Sequence, residues 1–249
     1  MNKAMYSAIA ALALLSASVA QAVTTTTYDF ATPADGSGKT SQLAGNSNVF
    51  VESFDRADGT GGVTWAPNLV SVTTVSGGGL AYAQGSLANV YAAPANDTTH
   101  FAYGPAQGSG TPNAEVNFNY SGLLATLGPN ASLNYFGLYY GSIDTFNDVI
   151  FYNAANEVIQ TVTGADLIAR FNGQSGNTQA DSSNLYVNLF FSPDEQFTSF
   201  SFRTTAQAFE VDNLVVGFEV VNPVPEPASL ALLGFGLAGL GVARRRNKK

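Results

Sequence analysis

Apolar and polar positions alternate in short runs over most of the chain between residues 24 and 221, and Gly, Asn, Asp, Ser and Pro separate the runs. In Glu115–Tyr120, residues Val116, Phe118 and Tyr120 share one face of an extended strand, with Glu115, Asn117 and Asn119 on the other. In Phe197–Thr204, Phe200 and Phe202 alternate with Ser199, Ser201 and Arg203. A period of two sends successive side chains to opposite faces, so such a run predicts a strand with one buried and one wet face. The same reading predicts strands at Thr24–Phe30, Asn48–Phe54, Leu69–Val75, Leu87–Ala92, Leu133–Tyr140, Val149–Tyr152, Glu157–Thr163, Leu185–Phe191 and Ala208–Val221. Only Gly122–Leu127 and Ala165–Phe171 read as short helices. About ten strands in roughly 200 residues, with no repeating period, predict an all-β domain: a two-sheet antiparallel β-sandwich of jelly-roll type over residues 23–221.

The two ends break this pattern. Residues 1–22 read as a secretory signal peptide, with Lys3 as the positive start, Ile9–Leu15 as an apolar signal helix, and small residues that permit cleavage after Ala20 or Ala22. Residues 222–249 read as a second targeting segment. Ala228–Ala243 has no charge, and its 16 residues would reach about 24 Å as a helix, against roughly 30 Å of hydrocarbon. A transmembrane helix at about 228–243 is therefore a marginal span, and Gly234, Gly236, Gly239 and Gly241 lower its helix propensity further. Arg244, Arg245 and Arg246 open a basic tail, residues 244–249, which holds that end in the cytoplasm and puts the remainder outside the inner membrane.

The order Val224, Pro225, Glu226, Pro227, then the Gly-rich apolar run, then Arg244–Arg246 resembles the PEP-CTERM sorting signal of Gram-negative bacteria, also described as an ice-binding-protein C-terminal domain. That resemblance covers about the last 26 residues. It implies export through the Sec translocon, transient anchoring in the inner membrane, cleavage by an exosortase near the Pro-Glu-Pro motif, and release to the cell surface or to a biofilm matrix of exopolysaccharide. The two prolines flanking Glu226 keep that segment extended and stop a helix from running upstream, which presents the motif as an open strand. Asn134–Asp144 and Ala208–Leu214 are also similar to an exosortase-dependent surface-protein family, and Phe209–Leu214 resembles the closing strand of lectin-like jelly rolls. Neither similarity brings a catalytic residue with it.

Charge narrows the partners. Between Val23 and Asn222 there are 17 acids against four bases, Lys39, Arg56, Arg170 and Arg203, a net charge of −13. Such a domain repels phosphate backbones and matches cations or neutral sugars better, which excludes nucleic acid. The chain has no cysteine, so disulfides, thiolate metal sites and Cys nucleophiles are absent.

Candidate chemistry follows from what is left. His100 is the only histidine, which excludes multi-histidine metal sites, and no Gly-x-Ser-x-Gly elbow accompanies it. Asp144 with Asp148, or Glu210 with Asp212, supply paired carboxylates of the kind glycoside hydrolysis uses; Glu210 and Asp212, two apart on a strand, share a face. Asp144, Asp212 and Asn213 offer hard oxygen ligands for calcium, or else simply make turns. Tyr135, Tyr139 and Trp65 are candidates for a sugar-stacking platform, or else for core packing. Asn172–Asn184 is a long polar loop, a place where function often sits. Thr24–Thr27 is a single run rather than the repeated array that an ice face needs. The sequence thus points to a non-enzymatic surface or matrix protein, with a calcium-assisted carbohydrate-binding module second and a secreted glycoside hydrolase third.

Overall fold

The alternating runs pair into two antiparallel sheets. The structure, a computed structural model, describes residues 39–56, 58–63, 69–193 and 195–220, together with the backbone of 25–29. Its strands are β1 (Thr25–Asp29), β2 (Val49–Glu52), β3 (Ser71–Gly77), β4 (Ala81–Gln84), β5 (His100–Gly104), β6 (Ala114–Asn119), β7 (Ala131–Gly141), β8 (Asn147–Tyr152), β9 (Val158–Thr163), β10 (Leu185–Phe190), β11 (Ser199–Thr204) and β12 (Phe209–Val220). Among the described residues, one sheet has seven strands in the order β1-β10-β7-β12-β5-β4, and β2 also pairs with β12. The other has five, β3-β6-β11-β8-β9. One edge of β12 is shared: Phe209–Val211 pair with β5 and Leu214–Gly217 with β2, while β7 runs along its opposite side.

Phenylalanine fills the space between the sheets. Phe136 of β7 meets Phe151 of β8 and Phe200 of β11 edge-on, at ring-centroid separations of 5.0 and 4.9 Å, and Phe118 of β6 stacks on Phe200 at 5.1 Å. All four rings are buried. Edge-on and offset contacts at these distances suit the ring quadrupole and add to the hydrophobic gain of burial. Helix α1 (Ser121–Leu127) links β6 to β7 and caps the core with Leu123 and Leu124. Helix α2 (Gly164–Phe171) starts where Thr163 Oγ1 accepts from the Asp166 amide at 3.0 Å and stops at Asn172, whose φ of 58° ends the right-handed turn.

Two sequence expectations need correction. Leu87–Ala92 is not a strand: a single bridge joins Leu87 and Tyr91 around a tight turn, closed by the Val90 amide on the Leu87 carbonyl, with Asn89 at φ 61°. The sheet residues in that part of the chain are β4 and β5, which are short and poor in β-branched side chains, so alternation did not reveal them. The expected wet face is also missing from the seven-stranded sheet. Tyr135, Tyr139, Tyr186 and Val215 form a second apolar cluster with Val49 and Val51 of β2, under Leu43 and Ala44, while Ala83, Phe101 and Tyr103 lie under Val90, Tyr91 and Ala93. Chain segments 39–48 and 86–97 therefore roof this sheet. The roof sits close: a Cβ on Gly141 would overlap Pro94.

Among the described residues no helix is long and apolar enough to cross a membrane. The signal helix in residues 1–22, the span at about 228–243 with its basic tail, and Trp65 lie outside the described residues.

Candidate functional site

The start of β12 organises the site. Phe209 and Val211 point into the core, so Glu210 and Asp212 face the roof, as their spacing of two requires. At Glu210 the roof parts into a cleft of about 550 Å³, walled by Ser86–Ala93 on one side, by Ser142 and Asp144 beyond the end of β7, and by Gly176, Thr178, Gln179 and Gln207. Glu210 is 3% exposed. Its Oε1 accepts from the Ala92 amide at 2.9 Å and its Oε2 from the Ser142 hydroxyl at 3.0 Å, which holds two walls of the cleft together. Burial pushes its pKa up to about 8, so near neutral pH the carboxyl is mostly uncharged. Asp144 lies half-buried in the same cleft, where desolvation raises its pKa and the Ser175 hydroxyl, donating to Oδ1 at 2.8 Å, opposes the rise. Tyr91 brings an aromatic ring to the wall and is backed by Tyr103 at 4.2 Å.

Behind the cleft, the roof is tied down by buried polar groups. Asn184 accepts at Oδ1 from the amides of Ala95 (3.1 Å) and Ser142 (2.9 Å), and its Nδ2 donates to the carbonyls of Asn177 (2.8 Å) and Ala180 (3.1 Å). The buried ammonium of Lys39 donates to the Asn184 carbonyl at 2.9 Å and lies 3.6 Å from Asp181. The Tyr139 hydroxyl donates to the Ala95 carbonyl, and the Tyr186 hydroxyl to that of Asn213 at 2.8 Å. Asp97 spends Oδ1 on the amide and hydroxyl of Thr99, at 2.9 and 2.8 Å. Among the described residues its Oδ2 and both oxygens of the buried Asp212 have no hydrogen-bond partner. Burial pushes the Asp97 carboxyl up to about 6 and raises Asp212 well above the carboxylate range, with Asp97 its strongest charged neighbour.

This arrangement redistributes the sequence candidates. Asp144 lines the cleft while Asp212 lies under the roof beside Asp97, so Asp144, Asp212 and Asn213 do not form one calcium set. Asn213 is buried with φ 47°, at a break in the β7–β12 register. Among the described residues no group of three or more His, Asp or Glu side chains is placed to hold a metal ion. Tyr135 and Tyr139, 3% and 0% exposed, are packing residues, and neither opens a ring face to a sugar. Asp148 pairs with Arg203 at 2.6 Å on the five-stranded sheet. His100 opens β5 with its amide and Nδ1 on Asp55 Oδ1, at 2.9 and 3.4 Å. Sequence reasoning passed over Tyr91 and Asp97, and it named Asn184 only as the last residue of the long polar loop. The Asp97-Thr98-Thr99 turn carried a signal for Asp97, since Asp bonding two residues on is a common loop device. Asn184 carried none beyond its place where a polar loop enters a strand.

Beyond β12 the chain continues to Lys249, and one family model matches there, over residues 223–246. That segment is a PEP-CTERM protein-sorting motif. It contains Val224, Pro225, Glu226 and Pro227, the apolar run and Arg244–Arg246. The PEP-CTERM motif implies exosortase-dependent export to the cell surface by way of the membrane. No curated protein matches the chain. Solved structures similar to it include CpGH89CBM32-6 produced by Clostridium perfringens, at 12% identity and a TM-score of 0.28 over 70% of this chain and 96% of that one. A Stig cyclase, Fisc, from Fischerella sp. TAU is similar at 12% identity and a TM-score of 0.31, over 71% of this chain and 87% of its own. A cyclase from Fischerella sp. TAU aligns at 11% identity and 0.31, over 80% and 100%. At such scores these likenesses carry no weight for function.

Proposed function

We propose that this is a non-enzymatic protein of the cell surface or extracellular matrix, freed by exosortase at its PEP-CTERM motif, which associates with neutral exopolysaccharide through the cleft at Glu210. The observation that carries this reading is the cleft's lining. The polar residues Ser86, Asn89, Ser142, Thr178, Gln179 and Gln207 line it beside Tyr91, and Glu210 is held mostly uncharged. Such a lining suits sugar hydroxyls, and a net charge of −13 over Val23–Asn222 disfavours anionic ligands. A jelly-roll connectivity fits the crossings from β7 to β8, β10 to β11 and β11 to β12, each of which passes between sheets.

A non-catalytic role is favoured by what the carboxyl groups already do. Both oxygens of Glu210 brace the cleft walls, and Asp148 is engaged by Arg203, so neither proposed acid pair has two uncommitted members. The test is binding of the full chain to an array of neutral and acidic glycans, with Tyr91→Ala and Gln179→Ala alongside. Retention on neutral glycans that both variants weaken is the expected result. Retention on none of them, with calcium or with chelator, rules the reading out.

A further inference from the structure

The polar groups under the roof leave one imbalance. Asp97 and Asp212 are neighbouring buried carboxyl groups, and as carboxylates neither has a proton to give the other. Asp212 is 0% and Asp97 7% exposed, and among the described residues three of their four oxygens have no hydrogen-bond partner. Burying ionised carboxylates without compensation is strongly unfavourable, so something must neutralise the pair. A single shared proton joins two of the three oxygens and leaves one unsatisfied. A cation between the carboxyls reaches all three.

We propose that Asp97 and Asp212 hold a calcium ion beneath the 86–97 segment, with Asp212 contributing both oxygens and Asp97 its Oδ2. The donor set is hard oxygen throughout, and the pair's charge of −2 matches a divalent ion. Two carboxylates are fewer than the six to eight oxygens calcium takes, and backbone carbonyls and water complete such shells. The local structure holds one donor in place: the amide and hydroxyl of Thr99 both donate to Asp97 Oδ1 and leave Oδ2 without a hydrogen-bond partner among the described residues. Asp55 adds a further negative charge nearby, while the ammonium of Lys39 is directed at Asn184 and Asp181. A calcium ion here pins the end of the segment whose earlier residues form the cleft wall, and so makes that wall calcium-dependent.

The experiment is calcium titration calorimetry on the full chain in mild detergent, stripped with chelator, together with thermal unfolding in calcium, magnesium or chelator. One calcium per chain is expected, with a Tm rise of about 5 °C at saturating calcium. Asp212→Asn and Asp97→Asn should each weaken binding at least ~10-fold, while Asp144→Asn and the exposed Glu157→Gln leave it within about twofold. Asp97, which lies outside the strands, provides a foldable variant if Asp212→Asn fails to fold. The absence of saturable binding by the wild type, with either variant gaining equal stability in calcium and chelator, means a shared proton and overturns the proposal. Loss of binding in Asp144→Asn with retention in Asp212→Asn moves the site and overturns it as well. Calcium binding is read here without any glycan, so failure of the glycan reading leaves this result separate.

Discussion

Replacing Asn184 with alanine removes four hydrogen bonds at once, and the structure allows the cost to be worked out. Its side chain is the common partner of the Ala95 and Ser142 amides and of the Asn177 and Ala180 carbonyls, at 2.8–3.1 Å, and the residue is fully buried. A typical intramolecular hydrogen bond contributes about 1 kcal/mol net, and a buried group left without a partner costs about 1–3 kcal/mol. Water entering from the cleft would re-solvate some of the four groups, which puts the expected loss at about 3–5 kcal/mol. That is a large share of the roughly 5–15 kcal/mol that holds a domain together. At about 2–4 °C per kcal/mol for a domain of this size, Tm should fall by roughly 10 °C. Urea unfolding of both proteins at pH 7 gives the measurement. Asn184→Asp separates packing from bonding: it keeps the volume and the acceptor, loses the donors and adds a buried charge, so it should be at least as damaging as alanine. A loss below about 1 kcal/mol for both variants would show that the roof is not held by this side chain.

Two further outcomes are expected. Glu210 has a folded pKa of about 8 against an ordinary 4.5, so its contribution to stability is complete below about pH 4.5 and is lost as pH rises to about 8. Glu210→Gln should therefore lose less stability than the wild type between pH 5 and 8.5, and parallel urea midpoints across that range would contradict the assignment. Changing Pro225-Glu226-Pro227 to alanines should leave the tail attached and the protein in the membrane fraction, and an unchanged mass for the mature protein would count against sorting through that motif.

The fold was legible where one face of a strand packs on the core and the other stays polar. Val116, Phe118 and Tyr120 are buried while Glu115, Asn117 and Asn119 are half-exposed, as their alternation required. Legibility failed under the roof, because a strand buried on both faces has no polar face to mark it. For Tyr135 and Tyr139 the choice between stacking on sugar and packing in the core stayed open because nothing in the sequence shows that residues 39–48 fold back over them. The partner of Asp212 was hidden for a related reason. Contact between residues 97 and 212 is set by the β12–β5 pairing and the roof, not by spacing along the chain. The sorting motif was legible in full because an exosortase would read it as a linear segment, so it depends on local order alone.

The two halves of the proposed function meet in one strand. β12 begins at Phe209, beside the cleft, and ends at Val220, with only Val221 and Asn222 before the matched PEP-CTERM segment. Twelve residues of strand at about 3.3 Å each separate these ends by roughly 35 Å, allowing for the two register breaks. The chain therefore leaves the sandwich at the end opposite the cleft. Tension applied at Val220 would act first on Phe218–Val220, which pair with β7 alone, and then on Val215–Gly217, held by β7 on one side and β2 on the other.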